Sequence, residues 1–252
     1  MEEQYMKKPK RKIVFIGAAI GAVAIAAVVG LTIYGKNQQF KLSVGGHEIS
    51  QAEYINYMKS VEYDTKVQIQ QEFGVQYTDG FWEEQYGDRY GYEILEENTI
   101  ELIKYMHAVY DVAVECGDIE DGSYQALEER WKNENKERSE KIANGQVVYG
   151  VKSYTFSMYQ QYETSIFKET YCNDKTREGM DLTEDEIVEY YNSSEWIFDG
   201  SEENADLETA RVAVVRELRE VKYDNMIAQA VENTQVEGDM SAVARFTLKN
   251  MQ

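Results

Sequence analysis

Two histidines, His47 and His107, are the only imidazoles in 252 residues, so general-base chemistry near neutral pH would fall first on them. They lie sixty positions apart, 107 − 47, so only the fold could bring them to one site. His107 sits beside Met106 in a helical pattern, where a packed or surface role is expected. His47 follows Gly45-Gly46, where simple exposure is expected. Cys116 and Cys172 have neither CxxC spacing nor a histidine cluster; the pattern suits free thiols, with a single disulfide open to them in an oxidising compartment. No HExxH, GxSxG, SxxK, P-loop or GxGxxG occurs, so the common hydrolase and nucleotide signatures are missing, and no catalytic residue, cofactor or nucleotide is assigned. The acidic clusters "GDIEDGS" (117–123) and "DGSEEN" (199–204) lack the alternation and closing Glu of an EF-hand, so they read as solvated turns and no metal is assigned.

The rings are more suggestive. Phe73, Tyr77, Phe81, Trp82, Tyr86, Tyr90 and Tyr92 crowd one stretch, and Tyr54 and Tyr57 lie on the helix before it. Such residues either fill gaps between helices or present amphipathic rings to an extended peptide, which needs contact area without sequence-specific polar readout. These nine are the candidate peptide-binding residues.

Charge narrows the partners. The chain carries 26 basic and 46 acidic residues, net −20. Residues 1–12 hold five of the bases and two of the acids, which leaves 21 − 44 = −23 from Gly35 onward. A surface so acidic repels phosphate backbones and anionic lipid heads, so nucleic acid is excluded as a partner.

The elements that must position these residues read as helices. "KKPKRK" (7–12) precedes "IVFIGAAIGAVAIAAVVGLTIY" (13–34), 22 positions without a charge. As a helix that run would span roughly 33 Å, about a bilayer's hydrocarbon core. It predicts a single-pass anchor in the cell membrane with a cytoplasmic N-terminus, or, in the rival reading, a cleaved signal that leaves a secreted protein. Three parts are expected: a cytoplasmic N-terminus 1–12, the anchor 13–34 and an extracytoplasmic helical domain 35–252.

Within that domain, "FKLSVGGHEIS" (40–50) predicts a short hairpin turning at Gly45-Gly46. Ser50 and Glu53, then Thr183 and Glu186, stand at capping-box spacing. Helices are expected over about 50–73, from Leu95 to Gly117, over 123–144 and 152–172, from Thr183, and through Val214–Val231. Residues 74–93 read as an irregular connection, and the tail "RFTLKNMQ" as a strand or loose end. The fold class is mainly α, with a short β segment at its start.

The order of these motifs resembles the exported SurA/PrsA-type foldase-chaperones. "VGGHEISQAEYINYMKS" (44–60) is similar to that family's V-x-G-x-x-I-S/T strand and capped helix. "GFWEEQYG" and "TIELIKYMHAVYDVAVECGD" look like its helix ending in an A-x-x-x-G turn. "YGVKSYTFSMYQQYETSIFKETY", "LTEDEIVEYYNSSEWIF" and "ARVAVVRELREVKYDNMIAQAVENTQVE" follow in the family's order. In the family a parvulin peptidyl-prolyl isomerase domain separates the last two segments. Here only Trp196–Asp206, eleven residues, stands between them, against the roughly 50 or more of a domain. The resemblance therefore implies a membrane-tethered chaperone that grips unfolded or secreted polypeptides without turnover, its isomerase absent. A dedicated scaffold subunit of an envelope or secretion complex is the alternative, and a degenerate isomerase a third.

Overall fold

Gly45 and Gly46 adopt left-handed backbone, with φ of +60° and +84°, the conformation of a two-residue hairpin turn. Leu42–Val44 (β1) and His47–Glu48 (β2) accordingly pair antiparallel, with Leu42 and Val44 buried. The computed structural model describes residues 40–198 and 203–251, which fall within one compact unit, Gln38–Gln252. Helix α1, Gln51–Phe73, starts where Ser50 Oγ accepts from the Glu53 amide at 3.1 Å and ends at Gly74, whose φ of +67° only glycine adopts cheaply.

The stretch after α1 is ordered. Phe81–Glu83 form a 3-10 turn, and Gln85–Tyr86 (β3) pairs with Arg89–Tyr90 (β4). The expected irregular connection is thereby corrected. Phe81, Trp82 and Tyr86 are buried, and the Tyr86 hydroxyl donates to the Phe81 carbonyl at 3.0 Å. Helix α2, Gly91–Glu115, begins on a glycine because a Cβ there would stand 2.9 Å from that same carbonyl oxygen.

Four further helices carry their own caps. They are α3 (Tyr124–Ala143, capped by Ser123), α4 (Phe156–Asn173, Thr155), α5 (Glu184–Asn192, a full Thr183–Glu186 capping box) and α6 (Leu207–Asn233, Asp206). The C-terminal end then departs from expectation. Val236–Gly238 (β5) pairs antiparallel with β1, giving the order β2-β1-β5, and Met240–Lys249 form α7. The tail is a helix, neither strand nor loose, because Asp239 caps it and Ala242, Val243 and Thr247 bury one face.

Helix α2 organises the domain. Its first half, with Ile94, Leu95 and Ile103, packs with α1, the hairpin, the 81–86 turn and Val243 of α7. Its second half, with Val109, Tyr110 and Ala113, packs with Leu127 of α3, Phe167 and Tyr171 of α4, and Tyr223 and Ile227 of α6. Ile187 of α5, Trp196, and Ala210 and Val214 of α6 make a third, smaller core.

The chain is mainly helical, but the expected fold class, a transmembrane helix leading into a chaperone domain, needs correction. Among the described residues no helix is long and apolar enough to cross a membrane. The longest, α6 at 27 residues, carries Arg216, Glu220 and Asp224 along its middle, and such charges are costly in hydrocarbon. The apolar run 13–34 and the basic residues before it lie outside the described residues. A single-pass membrane location therefore has no support in the structure.

Candidate functional site

The two histidines meet. Their rings stack with centroids 4.5 Å apart and planes at 16°. His107 Nε2 lies 3.0 Å from Glu53 Oε1, and His47 Nε2 lies 3.1 Å from Asp111 Oδ2. His107 and Glu53 are buried, while His47 and Asp111 are partly open to solvent. Each imidazole thus has a carboxylate that orients it, and the quartet clamps β2, α1 and α2 together. Sequence spacing gave no sign of this, because the Gly45-Gly46 turn is what folds His47 back onto α2. Glu53 spends its carboxylate on His107, so the Ser50–Glu53 spacing delivers only the serine half of a capping box.

Open clefts of about 530 Å³ lie on either side. Glu48, Glu53, Tyr124, Glu128, Glu129 and Lys132 help line one; Asp111, Glu115, Asn233, Gln235 and Glu237 help line the other. Walls so rich in carboxylate disfavour anionic ligands. Among the described residues no group of three or more His, Cys, Asp or Glu side chains has metal-holding geometry. Both cysteines are free: Cys116 is exposed, and Cys172 is buried, which pushes its thiol up to about 11. A thiol so shifted is a poor nucleophile at neutral pH.

Glu96 on α2 is a strongly perturbed carboxyl. It is 6% exposed, and its Oε1 has no hydrogen-bond partner among the described residues. Burial, with repulsion from Glu93 and Glu97, pushes its pKa up from 4.5 to about 8. The folded chain therefore keeps a proton that the unfolded chain loses. The resulting stability is full below about pH 4.5 and falls as pH rises toward 8. Glu96→Gln should flatten that slope, which is at most about 1.4 kcal/mol per pH unit for one group. Urea denaturation of both forms at pH 5 and pH 8 checks it; equal slopes would show that Glu96 is not the group responsible.

The nine candidate rings divide by burial. Tyr54, Tyr57, Phe81, Trp82 and Tyr86 are core residues. The tyrosine hydroxyls on α1 are satisfied inside: that of Tyr54 bonds Thr247 Oγ1 of α7, and that of Tyr57 accepts from Gln160 Nε2 of α4 at 2.8 Å. Phe73 and Tyr92 are half-buried, Phe73 against Tyr86 at 5.7 Å and Tyr92 stacked on Tyr90 at 5.5 Å. Tyr77 and Tyr90 are exposed, at 54% and 41%. The Lys66 ammonium sits 5.0 Å from the Tyr77 ring centre.

No protein-family model matches the chain. Over 204 residues it is 28% identical to a protein of Bifidobacterium longum subsp. longum described as a chaperone for lacto-N-biosidase. The relative is a chaperone. The match spans 81% of this chain and 73% of the relative. Among solved structures, the crystal structure of the GH136 lacto-N-biosidase from Eubacterium ramulus is similar at a TM-score of 0.43 and 18% identity. That similarity covers 58% of this chain and 30% of the other, and at this level it assigns neither fold nor role.

The Bifidobacterium relative overturns the SurA/PrsA resemblance and the kinship to peptidyl-prolyl isomerases that came with it. Trp196–Asp206 is not the scar of a lost isomerase. Trp196 is buried, its indole donates to the Tyr191 carbonyl at 3.0 Å, and its own carbonyl accepts from the Ala205 amide at 2.8 Å. The coarser expectation of a chaperone-like protein with a protein partner agrees with the relative's description.

Proposed function

We propose that this chain is a non-catalytic chaperone dedicated to a glycoside hydrolase of the lacto-N-biosidase kind. The observation that carries the reading is the 28% identity to the lacto-N-biosidase chaperone, sustained over 81% of the chain. The free energy for such assistance comes from contact alone. A partner that binds the folded or nearly folded enzyme better than the unfolded one shifts the enzyme's folding equilibrium by mass action, with no nucleotide.

A rigid helical frame suits that task. The buried rings Tyr54, Tyr57, Phe81, Trp82 and Tyr86 fix its shape, and the outward-facing Tyr77 and Tyr90, with the edges of Phe73 and Tyr92, remain as contact candidates. The strong negative charge keeps the free chain soluble and disfavours indiscriminate association with acidic proteins. The test is refolding of denatured lacto-N-biosidase with and without the purified chain, without ATP. Higher recovery of glycosidase activity supports the reading, and unchanged recovery overturns it.

A further inference from the structure

The segment joining α3 to α4 is held by its backbone. Arg138 donates to the Tyr149 and Val151 carbonyls at 3.1 and 2.8 Å. Asn135 accepts from the Tyr154 amide at 2.7 Å and donates to its carbonyl at 2.9 Å, and the Trp131 indole donates to that carbonyl at 2.9 Å. A loop so firmly tied could have turned its apolar side chains inward. Instead Tyr149 is 86% exposed, and Val151 also faces solvent.

The exposed apolar surface continues along α4. Tyr154, with the Arg138 guanidinium 4.4 Å from its ring centre, stacks on Tyr162 at 5.3 Å and 19°. Met158, Tyr162 and Ile166 recur every four residues and so share one helix face. All three are about two-fifths exposed. Tyr149, Val151, Tyr154, Met158, Tyr162 and Ile166 thus form one strip from the loop to the middle of α4.

Charge sets this strip apart. From Asn144 to Ile166 the charged residues are Lys152 and Glu163, and Glu163 is buried. The preceding helix, α3, has ten charged residues in its 20. Loss of charge together with Tyr and Met is the composition of an interface centre, whereas a solvated helix face in an acidic chain normally carries charge.

We propose that this strip is the face on which the glycoside hydrolase client docks, as a folded or nearly folded protein offering an apolar centre; the proposal rests on the chaperone reading above. Charge selects that occupant. At net −20 the chain repels a second copy of itself as well as anionic lipid, whereas the charges at the strip itself, the exposed Lys152 and the Arg138 guanidinium over Tyr154, are cations that do not repel an acidic protein client. The tied loop reduces the ordering cost of binding.

The experiment refolds lacto-N-biosidase with the unaltered full-length chain, with M158D/Y162D, with the milder Tyr149→Ser and with V212D, a control on α6 that is 84% exposed in the unaltered chain. The concentration of chain giving half-maximal recovery should rise at least tenfold for M158D/Y162D and severalfold for Tyr149→Ser. It should stay unchanged for V212D, with melting temperatures alike throughout. Tyr149 lies in a loop and touches no core, so a folding defect in the double variant leaves the Tyr149→Ser result decisive. Strip variants as effective as the unaltered chain, or a control that fails with them, would overturn the docking face while leaving the chaperone reading standing. An unaltered chain without effect would overturn both.

Discussion

Replacing Glu163 with alanine is expected to destabilise the domain by about 3–5 kcal/mol, the cost of stripping one partner from a buried charge pair. Glu163 is 7% exposed on α4 and serves three neighbours at once. Arg130 of α3 donates to it from Nε at 2.7 Å and from Nη2 at 3.1 Å. The Tyr110 hydroxyl of α2 donates at 2.9 Å, and that of Tyr159, one turn back on α4, at 3.0 Å. Removing the carboxylate leaves a half-buried guanidinium and two phenols without their acceptor. For a chain of this length the melting temperature should fall by about 10 °C. Glu163→Gln, which keeps an acceptor oxygen, should lose less. A fall under about 2 °C for Glu163→Ala would show that the cluster does not hold α2, α3 and α4 together.

Trp196→Ala is expected to cost about 3 kcal/mol, from lost burial and the cavity left behind. Trp196 closes the small third core against Ile187, Ala210 and Val214. That core is separate from the other two, so the loss should be local. Backbone amides of α5 and the first turns of α6 should exchange much faster with solvent, while those of α2 keep their protection. Uniform loss of protection across the domain would contradict a separate third core. Unchanged exchange in α5 would contradict the anchoring role of Trp196.

Local sequence signals suffice where a short-range rule decides the structure. Thr183 and Glu186 form the capping box their spacing predicts, and Gly45-Gly46 turns the hairpin. Residues 74–93 carry no such local rule: their glycines and rings take an ordered form because Phe81 and Tyr86 share a core with residues distant in sequence. The tail helix is not legible locally, because it follows a short strand, Val236–Gly238, that pairs with β1 nearly two hundred residues earlier.

The candidate site was less legible still. The His47–His107 stack and the Glu163 cluster each join residues more than fifty positions apart, and no local pattern marks them. Of the nine candidate rings, the seven of the ring-rich stretch and the two tyrosines on the helix before it, five are core. The foldase resemblance failed for a related reason. Its motifs, S-x-x-E before an apolar run and A-x-x-x-G at a helix end, are the physics of starting and stopping helices, which any helical protein shares.

Recovery of lacto-N-biosidase activity on dilution from denaturant, titrated with the unaltered full-length chain in the absence of nucleotide, tests most directly whether this is a dedicated chaperone. Activity should rise severalfold over spontaneous refolding and level off near one chain per enzyme, with no comparable effect on an unrelated denatured enzyme. Recovery no better than without the chain, or equal assistance to both enzymes, would contradict it.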